Sequence, residues 1–343
     1  MANNFLRDSL ATLMRGESLS RAQAGLLLDA LLDSLATDAQ IAAALIALKL
    51  KGETVAELAG LAEGMRARAV TIKTDHKCFI DTAGTGSSSA KTFNVSTAAA
   101  LVIAGAGLPV AKHGNRAASS RCGSADVLTA LGVDVSMSPE ISEKCLNEIG
   151  ICFMFAPLYH GATARVAGIR REMGVQTSFN LLGPLTNPAR APRQIIGVWD
   201  RSLVEPLAQT LSLLGTERAW IVHGADGLDE VTPADQTFVA EARDGSVRTF
   251  EIEPEAFGVE RVALEGLGGG DAEGNAAIIR SVLSGVRRDA ARTLVVINAA
   301  AALHVGGFAE NLRAGTELAE QSLDSGAAQM KLEQLIRMSA GTV

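Results

Sequence analysis

Near Lys73 the hydrophobic pattern of this 343-residue chain changes, and that change limits the folds open to it. Before it, apolar residues recur only at helical spacing. Leu6, Leu10, Leu13 and Met14 mark a first helix, and Ser20 with Gln23 makes a capping-box pair ahead of a leucine-rich second one. A third helix covers residues 41–50 and stops at Gly52. Thr54 with Glu57 opens a fourth, which runs to about Ala69. No strand candidate interrupts them. After Lys73, short apolar strands at 79–81, 109–111 and 151–155 alternate with helices at 96–105, 124–131 and 159–173, and 194–199 and 219–223 are further strand or buried-helix candidates. Such alternation predicts an α/β fold with a largely parallel sheet. Residues 238–240 and 247–252, split by Asp244-Gly245, read as an antiparallel hairpin. Residues 294–297 suit either a strand or a buried helix. Pro184, Pro188 and Pro192 make the stretch 183–192 a rigid crossing segment or hinge.

Composition narrows the function. With 31 Lys+Arg against 38 Asp+Glu the chain is net acidic, and only 4% of it is aromatic. Both facts argue against a general nucleic-acid binder. The four cysteines form no CxxC pair and read as reduced thiols of a cytoplasmic protein. Five scattered histidines give no zinc spacing. The first residues carry no apolar signal core, and no apolar run is long enough for a membrane span. The helical segment should expose apolar surface. We expect a dimer contact there, the alternative being that the larger domain covers it.

Four clusters carry chemistry. Residues 81–97 pack Gly84, Gly86, Ser87, Ser88, Thr92, Asn94, Ser96 and Thr97 ahead of a helix. Backbone N–H groups, hydroxyls and a helix N-terminus together suit a phosphate or pyrophosphate, although a plain surface loop has the same composition. Residues 112–126 place Lys112, Arg116 and Arg121 among glycines and hydroxyls between a strand and a helix. In an acidic chain this basic loop calls for an anionic partner. Asp229 and Glu230 follow the strand at 219–223 and suit Mg²⁺ shared with a phosphate, or a solvated turn. Arg170 precedes the Gly-Pro segment and suits a carboxylate, or is simply a surface arginine.

In this order, Lys112-His-Gly-Asn-Arg, Gly123-Ser-Ala-Asp126, residues 179–188 and the stretch 223–230 resemble the anthranilate phosphoribosyltransferase family over nearly the whole chain. The resemblance implies a small all-helical N-terminal domain and a large α/β domain with a mostly parallel sheet, the fold shared with pyrimidine nucleoside phosphorylases. The small domain would comprise residues 1–72, with 165–190 returning to it. The large one would comprise 73–164 and 191–343. It also implies transfer of phosphoribose from 5-phosphoribosyl 1-pyrophosphate to the amine of anthranilate with Mg²⁺, the second step of tryptophan biosynthesis. A homodimer through the helical domain is implied, with no nucleic acid or membrane partner.

By similarity, Gly84, Ser87, Ser88, Thr92, Asn94, Val95, Ser96 and Thr97 would surround the donor. So would Lys112, His113, Gly114, Asn115, Arg116, Ala117, Ala118, Ser119, Ser120 and Ser124. Gly84, Asn115 and Arg170 would meet anthranilate, and Ser96, Asp229 and Glu230 would hold the metal. No covalent catalyst is expected. Lys112 would stabilise the departing pyrophosphate, with His113 the nearest candidate for a base. Closure of the helical domain, hinged near Lys73 and Pro184, would exclude water.

Two positions depart from the family pattern. The loop usually reads Gly-Thr-Gly-Gly-Asp, and here it is Gly84-Thr85-Gly86-Ser87-Ser88. A second arginine six residues after Arg170 is Gln176. Two other readings follow from the same fold: a pyrimidine nucleoside phosphorylase, and a nucleic-acid-binding paralogue, which would need an extended basic face.

Overall fold

A computed structural model describes residues 2–86, 90, 92–117 and 121–341. Helices α1 (Ala2–Met14), α2 (Arg21–Leu32), α3 (Asp38–Lys51) and α4 (Val55–Arg68) form the N-terminal bundle. Ser20 with Gln23, Thr37 with Gln40 and Thr54 with Glu57 close three reciprocal capping boxes. Each satisfies two of the amides that a helix start leaves without intrahelical partners. α2 and α4 cross at Gly60, where a Cβ would lie 2.0 Å from the Arg21 carbonyl oxygen. Only glycine permits that approach, and it lets Leu27, Leu28, Leu58 and Leu61 bury completely.

The remaining elements alternate. They are β1 (Ile80–Asp81), α5 (Val95–Gly105), β2 (Val110–Gly114), α6 (Ser124–Leu131), α7 (Pro139–Ile149) and β3 (Ile151–Phe155). Then come α8 (Ala156–Tyr159), α9 (Ala164–Met173), α10 (Ser178–Leu185), β4 (Arg193–Gly197), α11 (Val204–Leu213) and β5 (Arg218–Gly224). β6 (Thr237–Arg243), β7 (Ser246–Ile252), α12 (Ala272–Leu283), α13 (Ala290–Val305), α14 (Leu312–Asp324) and α15 (Ala327–Ser339) complete the chain. The sheet order is β3-β2-β1-β4-β5-β6-β7, with the first five strands parallel and the last two antiparallel. The expected hairpin is present. Asp244 (φ 50°) and Gly245 (φ 80°) supply the two left-handed residues of its tight turn.

Strand order reverses at β1, which lies between β2 and β4. In parallel sheets a crevice opens at that point, beyond the carboxyl ends of the strands. Two apolar cores flank it. One holds α5, β2, β3, α13 and their neighbours. In the other, α1–α4 pack with Val166 and Ile169 of α9, Leu181, Leu182 and Leu185 of α10, and one face of β4–β6.

Residues 294–297, which suit a strand or a buried helix, lie inside α13, which is buried nearly all round, so its apolar run has no helical stripe to decide between the two. Two segments differ from the sequence reading. The helix expected over 159–173 is broken at His160 into α8, a single 3₁₀ turn and α9. The stretch from Gly183 begins inside α10, which carries Pro184 near its last turn. Among the described residues no helix is long and apolar enough to cross a membrane, and all four cysteines are free thiols.

Candidate active site

Asp81 ends β1 with its carboxylate sealed from solvent. It accepts the N–H groups of Ala83 (3.1 Å) and His113 (3.2 Å). The loop it starts passes Gly84, whose missing Cβ leaves room for the Gly197 carbonyl, and Thr85 donates its N–H to that carbonyl at 2.9 Å. β1 and β4 are thereby tied together at the switch point. The chain then enters α5 at Asn94, whose side chain does not cap the helix. Its Oδ1 instead accepts Asn275 Nδ2 at 3.0 Å. The first turn of α5 therefore faces a cleft of about 340 Å³.

Lys112, near the end of β2, is almost fully buried. Its Nζ donates to Thr82 O (3.1 Å), Thr82 Oγ1 (3.1 Å) and Ser96 Oγ (3.4 Å). Burial lowers its affinity for the proton, and the negative charges of Asp81 and Glu230 oppose that loss. His113 is held through Nδ1, 3.1 Å from Gly183 O. Because a carbonyl only accepts, Nδ1 carries the proton and Nε2 the lone pair, and Nε2 is buried without a partner among the described residues. Burial, with His160 and Lys112 nearby, lowers the His113 pKa to about 3. Beyond it, Asn115 O accepts Ser124 Oγ at 3.3 Å. Asp126 fastens the loop by accepting the N–H groups of Ala117 (3.0 Å) and Gly123 (2.9 Å) and pairing with Arg116 at 2.8 Å.

Asp229 and Glu230 follow β5 on a loop clamped from behind. Asn298 of α13 accepts the Val231 N–H at 2.9 Å and donates to Val231 O at 2.8 Å. Gly197 presses on the loop so closely that a Cβ there would stand 1.6 Å from Asp229 O. The Glu230 carboxylate accepts the Ser96 N–H. Desolvation and the adjacent Asp229 raise its pKa to about 8, against the pull of Lys112. Two neighbouring carboxylates with excess negative charge fit a divalent cation. Among the described residues no third acidic, histidine or cysteine side chain completes a cage, the usual arrangement where substrate phosphates finish a Mg²⁺ shell.

Arg170 of α9 enters the cleft from the other core. Its guanidinium lies 5.4 Å from the centre of the Phe179 ring, and one NH₂ donates to Asn180 Oδ1 at 3.0 Å. Among the described residues its Nε is buried without a partner and Arg170 has no salt bridge.

One cleft thus gathers Gly84, Thr92, Asn94, Val95, Ser96, Thr97, Lys112, His113, Gly114, Asn115, Arg116, Ala117, Ser124, Arg170, Asp229 and Glu230. Ser87, Ser88, Ala118, Ser119 and Ser120 lie outside the described residues. Phe179, Asn180, Gly183 and Pro184 also line the cleft. The sequence reading marks 183–192 as rigid and 179–188 as part of the family resemblance but gives Phe179, Asn180, Gly183 and Pro184 no place in the site, since nothing local shows that α10 points back at Arg170 and His113.

A family model described as "Glycosyl transferase family, helical bundle domain" matches residues 7–69, and one described as "Glycosyl transferase family, a/b domain" matches residues 76–329. The anthranilate phosphoribosyltransferase of Moorella thermoacetica is 51% identical over 332 residues, covering 97% of this chain and 98% of that protein. This chain belongs to the anthranilate phosphoribosyltransferase family. The anthranilate phosphoribosyltransferase of Thermus thermophilus superposes with a TM-score of 0.91 at 39% identity, over 97% of this chain and 99% of that one. The anthranilate phosphoribosyltransferase of Saccharomyces cerevisiae, in complex with PRPP and Mg, gives a TM-score of 0.89 at 28% identity over 98% of each chain. The same yeast enzyme has also been solved in complex with 4-fluoroanthranilate.

Proposed function

We propose that this chain carries out the reaction of its family. It transfers the phosphoribosyl group of 5-phosphoribosyl 1-pyrophosphate to the amine of anthranilate, in the second step of tryptophan biosynthesis. One observation carries the assignment of roles. The cleft holds two unlike cationic ends. One is a lysine and helix N-terminus on the sheet core, the other a guanidinium on the helical core with no acidic neighbour acting on it among the described residues. The first suits a phosphorylated donor, the second a carboxylated acceptor.

In this reading the N-terminus of α5, the glycine loop and the Lys112–Ala117 loop bind the donor's phosphates. Gly84 and Asn115 lie where anthranilate meets the donor, and Arg170 pairs with the acceptor's carboxylate. The residues present fit a metal: Asp229, Glu230 and Ser96 would hold Mg²⁺. When bound it neutralises charge on the pyrophosphate. As the C1–O bond of the donor breaks, Lys112 balances charge on the leaving pyrophosphate, and the anthranilate nitrogen forms the new bond to C1. With a pKa of about 3 and its Nε2 buried, His113 stays neutral and does not store the amine's proton, which passes to the departing pyrophosphate as the C–N bond forms. Positioning of two bound substrates is the main catalytic device.

The division into 1–72 with 165–190, and 73–164 with 191–343, is part of the same proposal. It is supported by α9 and α10 packing with α1–α4. Met14, Leu26, Leu35 and Leu50 are exposed on the bundle and suit a homodimer contact, which sedimentation tests. Free thiols suit a reducing cytoplasm.

The test is the loss of anthranilate fluorescence on mixing protein, donor and Mg²⁺. Loss that requires donor and metal, and that Arg170→Ala and Lys112→Ala suppress, supports the reading. No loss across a wide Mg²⁺ range, with phosphorolysis of thymidine instead, overturns it.

A further inference from the structure

Arg170 is held by an amide where a carboxylate would bind it more strongly. Asn180 Oδ1 accepts two hydrogen bonds, from Arg170 NH₂ at 3.0 Å and from the Thr177 N–H at 3.0 Å. Both partners are donors, so the atom facing them is the oxygen and both its lone pairs are used. The guanidinium also lies over the Phe179 ring, 5.4 Å from its centre, which adds no formal charge. Burial is the sole influence shifting the Arg170 pKa, downward, and among the described residues no acidic side chain offsets it. Arginine nevertheless stays charged at all working pH. The side chain is therefore aimed but not neutralised.

We propose that Asn180 is a specificity-determining positioning residue: it aims Arg170 while leaving its charge for the carboxylate of the acceptor amine. This rests on Arg170 meeting that carboxylate. A neutral holder makes an anionic acceptor the species that completes the site, and a desolvated, unmatched guanidinium discriminates against amines without a carboxylate.

Asn180→Asp separates this role from a structural one. Aspartate has the same shape, accepts the same two hydrogen bonds, and sits favourably in the first turn of α10. If Asn180 only holds helix and loop together, Asp should serve as well as Asn, and Asn180→Ala should be the more damaging change. If Asn180 reserves the charge, the order reverses. We expect Asn180→Asp to raise the KM for anthranilate at least about tenfold, more than Asn180→Ala does, with the donor KM within about twofold and Tm not lowered. Wild-type anthranilate KM in Asn180→Asp, or a larger effect from Ala than from Asp, overturns the inference. So does an Asn180→Asp protein that fails to fold, because its carboxylate retains both bonds. Arg170→Ala, measured alongside, keeps the two readings apart. If it leaves the anthranilate KM unchanged, the role of Arg170 falls and this inference with it. If it raises KM while Asn180→Asp does not, only the inference falls.

Discussion

Asp81 Oδ2 accepts the side-chain amide of Asn187 at 2.7 Å, and the same Asn187 Nδ2 reaches Ala111 O at 2.8 Å. A residue beyond α10 thereby joins the end of β1 to the start of β2. Removing that amide leaves a buried carboxylate with one donor fewer. Asn187→Ala should lower the unfolding free energy by about 1–3 kcal/mol, read from urea denaturation. An unchanged urea midpoint would show that the two strands hold their ends in place without it.

Arg170→Ala should cut kcat/KM for anthranilate about a hundredfold, the value of a desolvated charge-assisted bond, and leave the donor KM within about twofold. Equal losses for both substrates would mean that the arginine supports the cleft as a whole.

Gly197→Ala places a Cβ against the Asp229 carbonyl, where backbone must give way. The displaced Asp229–Glu230 loop should raise the Mg²⁺ concentration for half-maximal rate, with about 1–3 kcal/mol lost in stability. A Mg²⁺ titration at saturating substrates checks this, and an unchanged midpoint would refute it.

His113 gives a signed pH dependence. Its folded pKa is depressed to about 3, so between there and about 6.5 the unfolded chain binds a proton that the folded chain does not. Stability from this residue is fully present above about pH 6.5 and falls by about 2 kcal/mol on going down to pH 5. Asp81 acts in the opposite sense. Burial raises its pKa to about 6, so its contribution falls as pH rises from about 4 towards that value. Comparing His113→Asn with the parent at pH 7 and pH 5 cancels the Asp81 effect, and the variant should lose less stability on acidification. Parallel losses in the two proteins would contradict a depressed His113.

Local chemistry made much of this fold legible. Two capping boxes, Ser20 with Gln23 and Thr54 with Glu57, each join residues three apart, so the starts of α2 and α4 can be read directly, whereas the Thr37–Gln40 box goes unread and the sequence reading begins α3 three residues late. β1 has only two residues, yet the glycine loop after it marks its end. The parallel strands announced themselves as apolar runs because both of their faces are covered. What stayed open or hidden depended on partners far along the chain. Residues 294–297 suit a strand as well as a helix because α13 is enclosed on all sides. Asn180 is one polar residue in an apolar stretch until α9 folds back beside it. Asn187 is one residue of a stretch read as a rigid crossing or hinge until Asp81, 106 positions earlier, is seen to accept its amide. The chemical types of the site were visible in the sequence, whereas the residues that aim them became visible only in three dimensions.

The two cores have a kinetic consequence. α5 and β2, which present the proposed donor site, are anchored in one apolar cluster, while α9 and α10, which present Arg170, are anchored in the other. The gap that the new carbon–nitrogen bond must span is therefore a dimension of the packing between two bodies and not of any single loop. Each substrate can be gripped at full strength while that dimension is wrong. Substitutions far from the cleft that change how the cores seat should thus slow turnover while both binding constants stay intact, a signature that distinguishes misregistration from loss of a contact.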